Sequence, residues 1–181
     1  MTIGLRAAEP RDEAHLIAVY GSTREDELAT TDWDEARKRT FVEQQFRAQD
    51  QYYRANYANA TYQVILVDGR PAGRLYVARW PDEIRIMDIA LLPAFRSRGV
   101  GARLLGDLRA EAAAAGKPLR IHVERFNPAL TLYARLGFQL VEDRGVYLFL
   151  EWSPDAASSA PAAQPTTQEE TSSSSHAIPE W

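Results

Sequence analysis

The sequence predicts an α/β fold, with helices packed on a mixed, mainly antiparallel sheet in the order β-α-α-β-β-β-α-β-α-β-β. Three observations lead there. Along residues 1–152 the apolar spacing switches, in that order, between a helical period of about 3.6 and a strand period of about 2. Asp68-Gly69 separates two strand-like runs, and this dipeptide supplies the positive φ values of a tight hairpin. Residues 84–124 read as strand, helix, strand, which within one sheet gives a right-handed crossover and one parallel pair.

Taken in order, "TIGLRAA" (2–8) is the first strand. In "RDEAHLIAVYGST", Ala14, Ile17 and Ala18 share one helical face, with Leu16 and Tyr20 flanking it. A second helix, roughly 33–54, carries Phe41, Val42, Gln45, Phe46 and Gln49. "TYQVILV" and "RPAGRLYVAR" are the hairpin strands. "EIRIMDIALLP" first alternates and then becomes continuously apolar, as a strand does when its far end is covered on both faces. In "ARLLGDLRAEAAAAG" the stripe is Leu104, Leu105, Leu108 and Ala112, stopped at Gly116-Lys117-Pro118. "LRIHVE" is the next strand, and "NPALTLYARLGF" a short helix with Pro128 in its first turn and Gly137 at its end. "QLVED" and "VYLFLEW" close as a final hairpin.

Bulk composition excludes several function classes. The net charge of −4 is unevenly placed. Segment 153–181 holds Asp155, Glu169, Glu170 and Glu180 without one Lys or Arg, so residues 1–152 balance. That segment, rich in Ser, Ala, Pro, Thr and Gln, buries too little to offset chain entropy; we expect a disordered tail after a folded domain 1–152. Without a basic surplus, no nucleic-acid partner is expected. No apolar run reaches the roughly 18 residues of a membrane span, so no membrane partner is expected either. The start, "MTIGLRAAEPRDE", lacks a signal-peptide pattern and points to the cytoplasm. Cysteine is absent, which removes disulfides and thiol nucleophiles and leaves a metal site unexpected.

The chemistry must come from local clusters, and "PAFRSRGVGARLL" (93–105) is the densest. Two cations and two glycines precede a helix with no Ser, Thr, Asp or Asn to cap it. A P-loop needs Lys-Ser/Thr after its last glycine, but Ala102-Arg103 follows Gly101. A dinucleotide fingerprint needs a third glycine where Leu104 stands. The pattern that fits is Arg-x-x-Gly-x-Gly over Arg96-Ser97-Arg98-Gly99-Val100-Gly101. Here glycine admits close approach of an anion, the first amides of the helix point at it, and Arg96 and Arg98 add charge-assisted bonds.

At these residues the chain resembles the GCN5-related N-acetyltransferase (GNAT) superfamily. "DIALLPAFRSRGVGARLL" is similar to its acyl-CoA segment, and "IHVERFNPALTLYARLGF" to the strand, Asn and Ala-x-x-Leu-Tyr helix that follow. The resemblance implies a GNAT-like sheet with a central splay and acetyl-CoA as acetyl donor. It puts the pyrophosphate on the amides of Arg98, Gly99, Val100, Gly101 and Ala102. The pantetheine arm would pair like an extra strand with the backbone of Ile89, Ala90 and Leu91, with Asn127 bonding the arm or the cofactor. Homodimers are common in the superfamily, though no sequence feature here decides the oligomeric state. A CoA-binding regulatory module without turnover is the alternative reading.

Amine acetylation needs two proton transfers. An alkylammonium of pKa near 10.4 must lose a proton, which costs about 4–5 kcal/mol at pH 7. The departing thiolate must gain one. The resemblance places the Tyr133 hydroxyl at the sulfur as the acid. For the base, His122 and Asp88 both stand open, as do Glu83 and Glu124 through water. Acceptors of the superfamily bind between the first two helices, the splay and the last hairpin. Glu25, Asp26, Glu27, Asp32, Asp34 and Glu35 fall in that region and would attract a cationic amine, a small molecule or a peptide. Trp33, Tyr52, Tyr53, Trp80 and Tyr147 are candidates to floor its pocket.

Overall fold

The computed structural model describes residues 1–154; the tail from 155 onward, and with it most of the segment expected to be disordered, lies outside the described residues. The strands are β1 (Ile3–Ala7), β2 (Thr61–Val67), β3 (Arg70–Arg79), β4 (Ile84–Leu91), β5 (Leu119–Glu124), β6 (Gln139–Arg144) and β7 (Tyr147–Trp152). They form one open sheet in the order β1-β2-β3-β4-β5-β7-β6. Neighbours are antiparallel except β4 and β5, which run parallel because a helix, α4 (Val100–Ala115), carries the chain between them. The β2–β3 turn holds Asp68 at φ +49° and Gly69 at +76°, as the dipeptide requires.

Side-chain alternation sends each strand's apolar residues to two separate cores. On one face, Leu104, Leu105, Leu108 and Ala112 of α4 pack with Ile65, Leu75, Val77, Ile84, Ile86, Leu119 and Ile121. Each such leucine contributes about 1.5–3 kcal/mol by leaving water. Gly116 ends α4 at φ +62° and returns its amide to the last carbonyls of the helix. The short helix α5 (Leu130–Arg135) lies against the same core through Tyr133. On the other face, helices α1 (Glu13–Ser22) and α3 (Glu35–Asn56) cover Val64 with Leu16, Tyr20 and Phe46.

Two elements differ from expectation. In α1 the buried residues are Leu16, Val19, Tyr20 and Ser22, whereas Ala14 and Ala18 face solvent. The two alanines marked a face with little surface to bury, and the larger side chains at i, i+3 and i+4 chose the contact instead. A separate helical turn, α2 (Glu25–Ala29), precedes α3 and buries only Leu28. The side chain of Asp34 then caps α3 by accepting from the Arg37 amide at 2.7 Å.

Candidate active site

A single extra residue opens the sheet. Tyr76 of β3 faces Asp88 and Val77 faces Ile86, so Met87 is a bulge on β4. Bulges bend a strand away from its neighbour, and β4 pairs with β5 only as far as Ile86 and Ile121. β5 continues to Glu124 alongside β7, so the two middle strands part there. The amide of Leu92 donates to Ala72 at 2.9 Å. By the alternation of antiparallel pairs, Asp88 and Ala90 therefore turn their backbone groups to β3, and Ile89 and Leu91 turn theirs to the gap. The stretch expected to meet the pantetheine thus divides: Ile89 and the Leu91 amide face the gap, the Leu91 carbonyl already accepts from Arg96, and Ala90 is bonded within the sheet. β3 supports that edge closely. A Cβ at Gly73 would collide with the Ala90 carbonyl oxygen and sit 3.0 Å from the Leu91 Cα.

The edge runs into the glycine-arginine loop. Ser97 and Gly99 both have positive φ, +56° and +81°, on either side of Arg98. Alternation of this kind curls successive amides into an anion-binding concavity. α4 begins at Val100 with no side-chain cap and no acidic residue in its first turn, so the amides of Val100, Gly101 and Ala102 lack intrahelical acceptors. Gly99 needs its glycine for φ. Gly101 does not: a Cβ there meets only Leu132, at an ordinary 3.7 Å. The chain's own packing gives position 101 no reason to be bare, whereas the close approach of a phosphate does. These residues fit the pyrophosphate of a CoA.

The two arginines behave differently. Arg98 is exposed beside the Phe95 ring. Arg96 is committed elsewhere: its Nε donates to the Leu91 carbonyl at 2.8 Å, and its Nη2 donates to Ser22 Oγ at 2.9 Å and Ser22 O at 3.0 Å. Asn127 is likewise partly engaged, accepting from the Ala129 amide at 2.8 Å to start the turn into α5.

On the α1–α3 side of the gap stands Asp88. Its Oδ2 accepts from Arg74 Nη2 at 2.7 Å and its Oδ1 from Arg74 Nε at 3.2 Å. Tyr133, 3% exposed and edge-on to Phe138, has its phenol pushed well above its usual range by burial and then by the charge of Asp88. The same two causes raise Tyr53, whose hydroxyl donates to the Met87 carbonyl at 3.4 Å. His122 lies flat on Phe149, with ring centroids 4.5 Å apart, and its Nε2 is buried without a partner among the described residues. Burial, and then Arg85 and Arg144, lower it from 6.5 to about 3. So weak a base does not hold an amine's proton at neutral pH, which counts against His122 in that role. Glu83 is buried between Arg85 and Arg120, at 2.7 and 2.8 Å, in a structural ion network. Glu124 is exposed and bridged to Arg24 at 3.2 Å.

Of the acidic stretch, Glu25, Asp26 and Glu27 stand exposed on α2, with Glu27 held by Arg24. Asp34 is spent on the cap, and Trp33 packs on Phe41 and Arg37. The sequence reading missed Arg74. The signal was present in Gln49, a polar residue buried with Phe46 on the covered face of α3, whose Oε1 accepts from Arg74 Nη2 at 2.9 Å.

Known proteins share this fold. The fold matches that of the PaiA N-acetyltransferase from Thermoplasma acidophilum, solved in complex with coenzyme A, at a TM-score of 0.65 and 16% identity over 84% of this chain and 99% of that one. An acetyltransferase from Thermus thermophilus matches at 0.62 and 18%, covering 84% and 97%. RimL, a ribosomal alpha-N-protein acetyltransferase, matches at 0.59 and 18%, covering 84% and 91%. No curated protein sequence matches the chain. The family model for the acetyltransferase (GNAT) family matches residues 26–138, a span that runs from the acidic turn through the open edge of β4 and the uncapped helix to the end of α5. A splayed sheet, an uncapped helix start and a match over most of the domain lead to one conclusion: the chain belongs to the acetyltransferase (GNAT) family, enzymes that use acetyl-CoA.

Proposed function

We propose that the protein transfers the acetyl group of acetyl-CoA to the primary amine of a small molecule or peptide, by direct attack in a ternary complex. One observation carries the reading: the gap-facing backbone of Ile89 and the Leu91 amide lead into the uncapped amides of α4, with Asp88 acting electrostatically on Tyr133 beside them. Acetyl-CoA, when bound, supplies a thioester carbonyl open to an amine. The amides of residues 98–102 and the Arg98 guanidinium hold its phosphates, and the β4 edge aligns its amide-bearing arm.

On the other side of the gap the Asp88 carboxylate draws the acceptor's ammonium toward the same place. With His122 too weak a base, the ammonium proton leaves through water in the cleft. Tyr133, raised by burial and by the charge of Asp88, stays protonated in the resting site and hydrogen-bonds the departing sulfur through Oη; the proton it passes to sulfur is replaced, through water, by the one the acceptor nitrogen loses as the intermediate collapses. The exposed acids of α2 favour cationic acceptors by long-range attraction.

The test combines purified protein, acetyl-CoA and a panel of primary amines, with release of free thiol as the readout. Turnover on at least one amine is expected. Thermal protection by CoA with no thiol release on any acceptor would reduce the protein to a CoA-binding module.

A further inference from the structure

Arg74 has no part in the scheme above, yet it is the most enclosed charged side chain among the described residues, 2% exposed. It lies in β3 beneath α1 and α3, with its guanidinium 5.1 Å from the Tyr76 ring, 5.6 Å from Tyr20 and 5.9 Å from Phe46. Enclosing an ion is costly, and apolar side chains of similar volume often match a sealed ion pair in stability. This pair is not sealed on both sides. The Arg74 side chain is 2% exposed, but that of Asp88 is 17% exposed.

The open partner is the one beside the splay. Asp88 follows the bulged Met87 directly, where β4 leaves β5. Arg74 meets both of its oxygens, which fixes the plane of the carboxylate, and Gln49 fixes Arg74 in turn from α3. Tyr53, also on α3, holds the Met87 carbonyl. One helix therefore braces the bulge and, through Arg74, the carboxylate next to it.

We propose that Arg74, oriented by Gln49, is a positioning residue that fixes the Asp88 carboxylate at the splay so that its remaining lone pairs receive the acceptor's ammonium group. The inference rests on amine acetylation as proposed above and narrows the acceptor to alkylamines that arrive charged. A carboxylate free to rotate would meet the same ammonium in many geometries, and few of those would aim the nitrogen at the thioester.

The experiment uses the full chain and the best substrate among n-butylamine, 1,4-diaminobutane, tyramine and glycinamide. R74M is expected to raise the KM for that amine by about tenfold or more, with affinity for CoA unchanged. Adding R74M to D88N is expected to change nothing further, since Arg74 acts through Asp88. R74K, which keeps a cation with fewer donors, should recover part of the loss. If R74M no longer binds CoA, Q49L decides, with a severalfold rise in amine KM expected at intact CoA affinity. A lowered melting temperature with unchanged amine KM in the folded variants makes Arg74 a structural ion and overturns the inference. Absence of thiol release by the unaltered protein on every amine overturns acetyl transfer itself, and this inference with it.

Discussion

Replacing His122 with Phe tests the electrostatic reading of the sheet most directly. In the folded chain His122 is lowered from 6.5 to about 3 by burial and by the nearby Arg85 and Arg144. The unfolded chain therefore takes up a proton between those values that the folded chain refuses. Stability from this residue is fully present above about pH 7.5 and is lost as the pH falls through 6.5. Integrated down to pH 5, the loss is about 2 kcal/mol at 1.36 kcal/mol per unit. The ring is only partly enclosed, so solvent screening reduces this to about 1–1.5 kcal/mol. For a chain of this size that is about 3–5 °C in melting temperature. His122→Phe keeps the stack on Phe149 and removes the titration. Melting curves at pH 7.5 and pH 5.0 should therefore show the original chain losing about 3–5 °C more than the variant. Acetyl transfer by His122→Phe should retain its pH profile. Parallel melting shifts would refute the burial argument, and a folded, CoA-binding variant without turnover would return His122 to the role of base.

Three further outcomes follow from the site. Gly101→Asp sets an anion against the phosphates and should weaken CoA binding by about tenfold or more, whereas Gly101→Ala, with its ordinary contact to Leu132, should fold normally; calorimetric titration separates them. Tyr133→Phe should lower kcat by about a hundredfold with little change in CoA affinity, and equal loss of both would make the ring a packing residue. Gly73→Ala forces β3 from β4 at the Ala90 carbonyl and should cost about 2–4 kcal/mol in urea unfolding while also weakening CoA binding, since Ile89 and Leu91 move with that edge.

Much of the fold was legible because its signals are local. The stripe of α4 and the Asp68-Gly69 turn each depend on residues a few positions apart, and the observed helix and hairpin follow them. α1 was harder to read. Its alanines and larger apolar residues do not mark one clear face, and only packing against α3 and Val64 selects Leu16 and Tyr20. The candidate site divides in the same way. The glycine-arginine loop announces itself within six residues, but the Arg74–Asp88 contact depends on a bulge at Met87. Nothing in "RIMDIAL" marks the extra residue, because a strand with a bulge and one without share the same apolar composition.

Arg96 shows what sequence motifs leave undetermined. A cation beside a phosphate loop reads as a phosphate ligand, since guanidinium and phosphate suit each other in charge and shape. Here the same side chain reaches away from the loop, to the carbonyl of Leu91 and to Ser22 at the end of α1. The Leu91 carbonyl faces the gap, and β5 has already parted from β4 at that point, so a donor from outside the sheet must satisfy it. By supplying that donor, Arg96 holds the end of β4 against α1. That one side chain joins the glycine-arginine loop to the end of α1, two residues before the turn at Arg24. Arg98, by contrast, is exposed and has no carboxylate partner among the described residues.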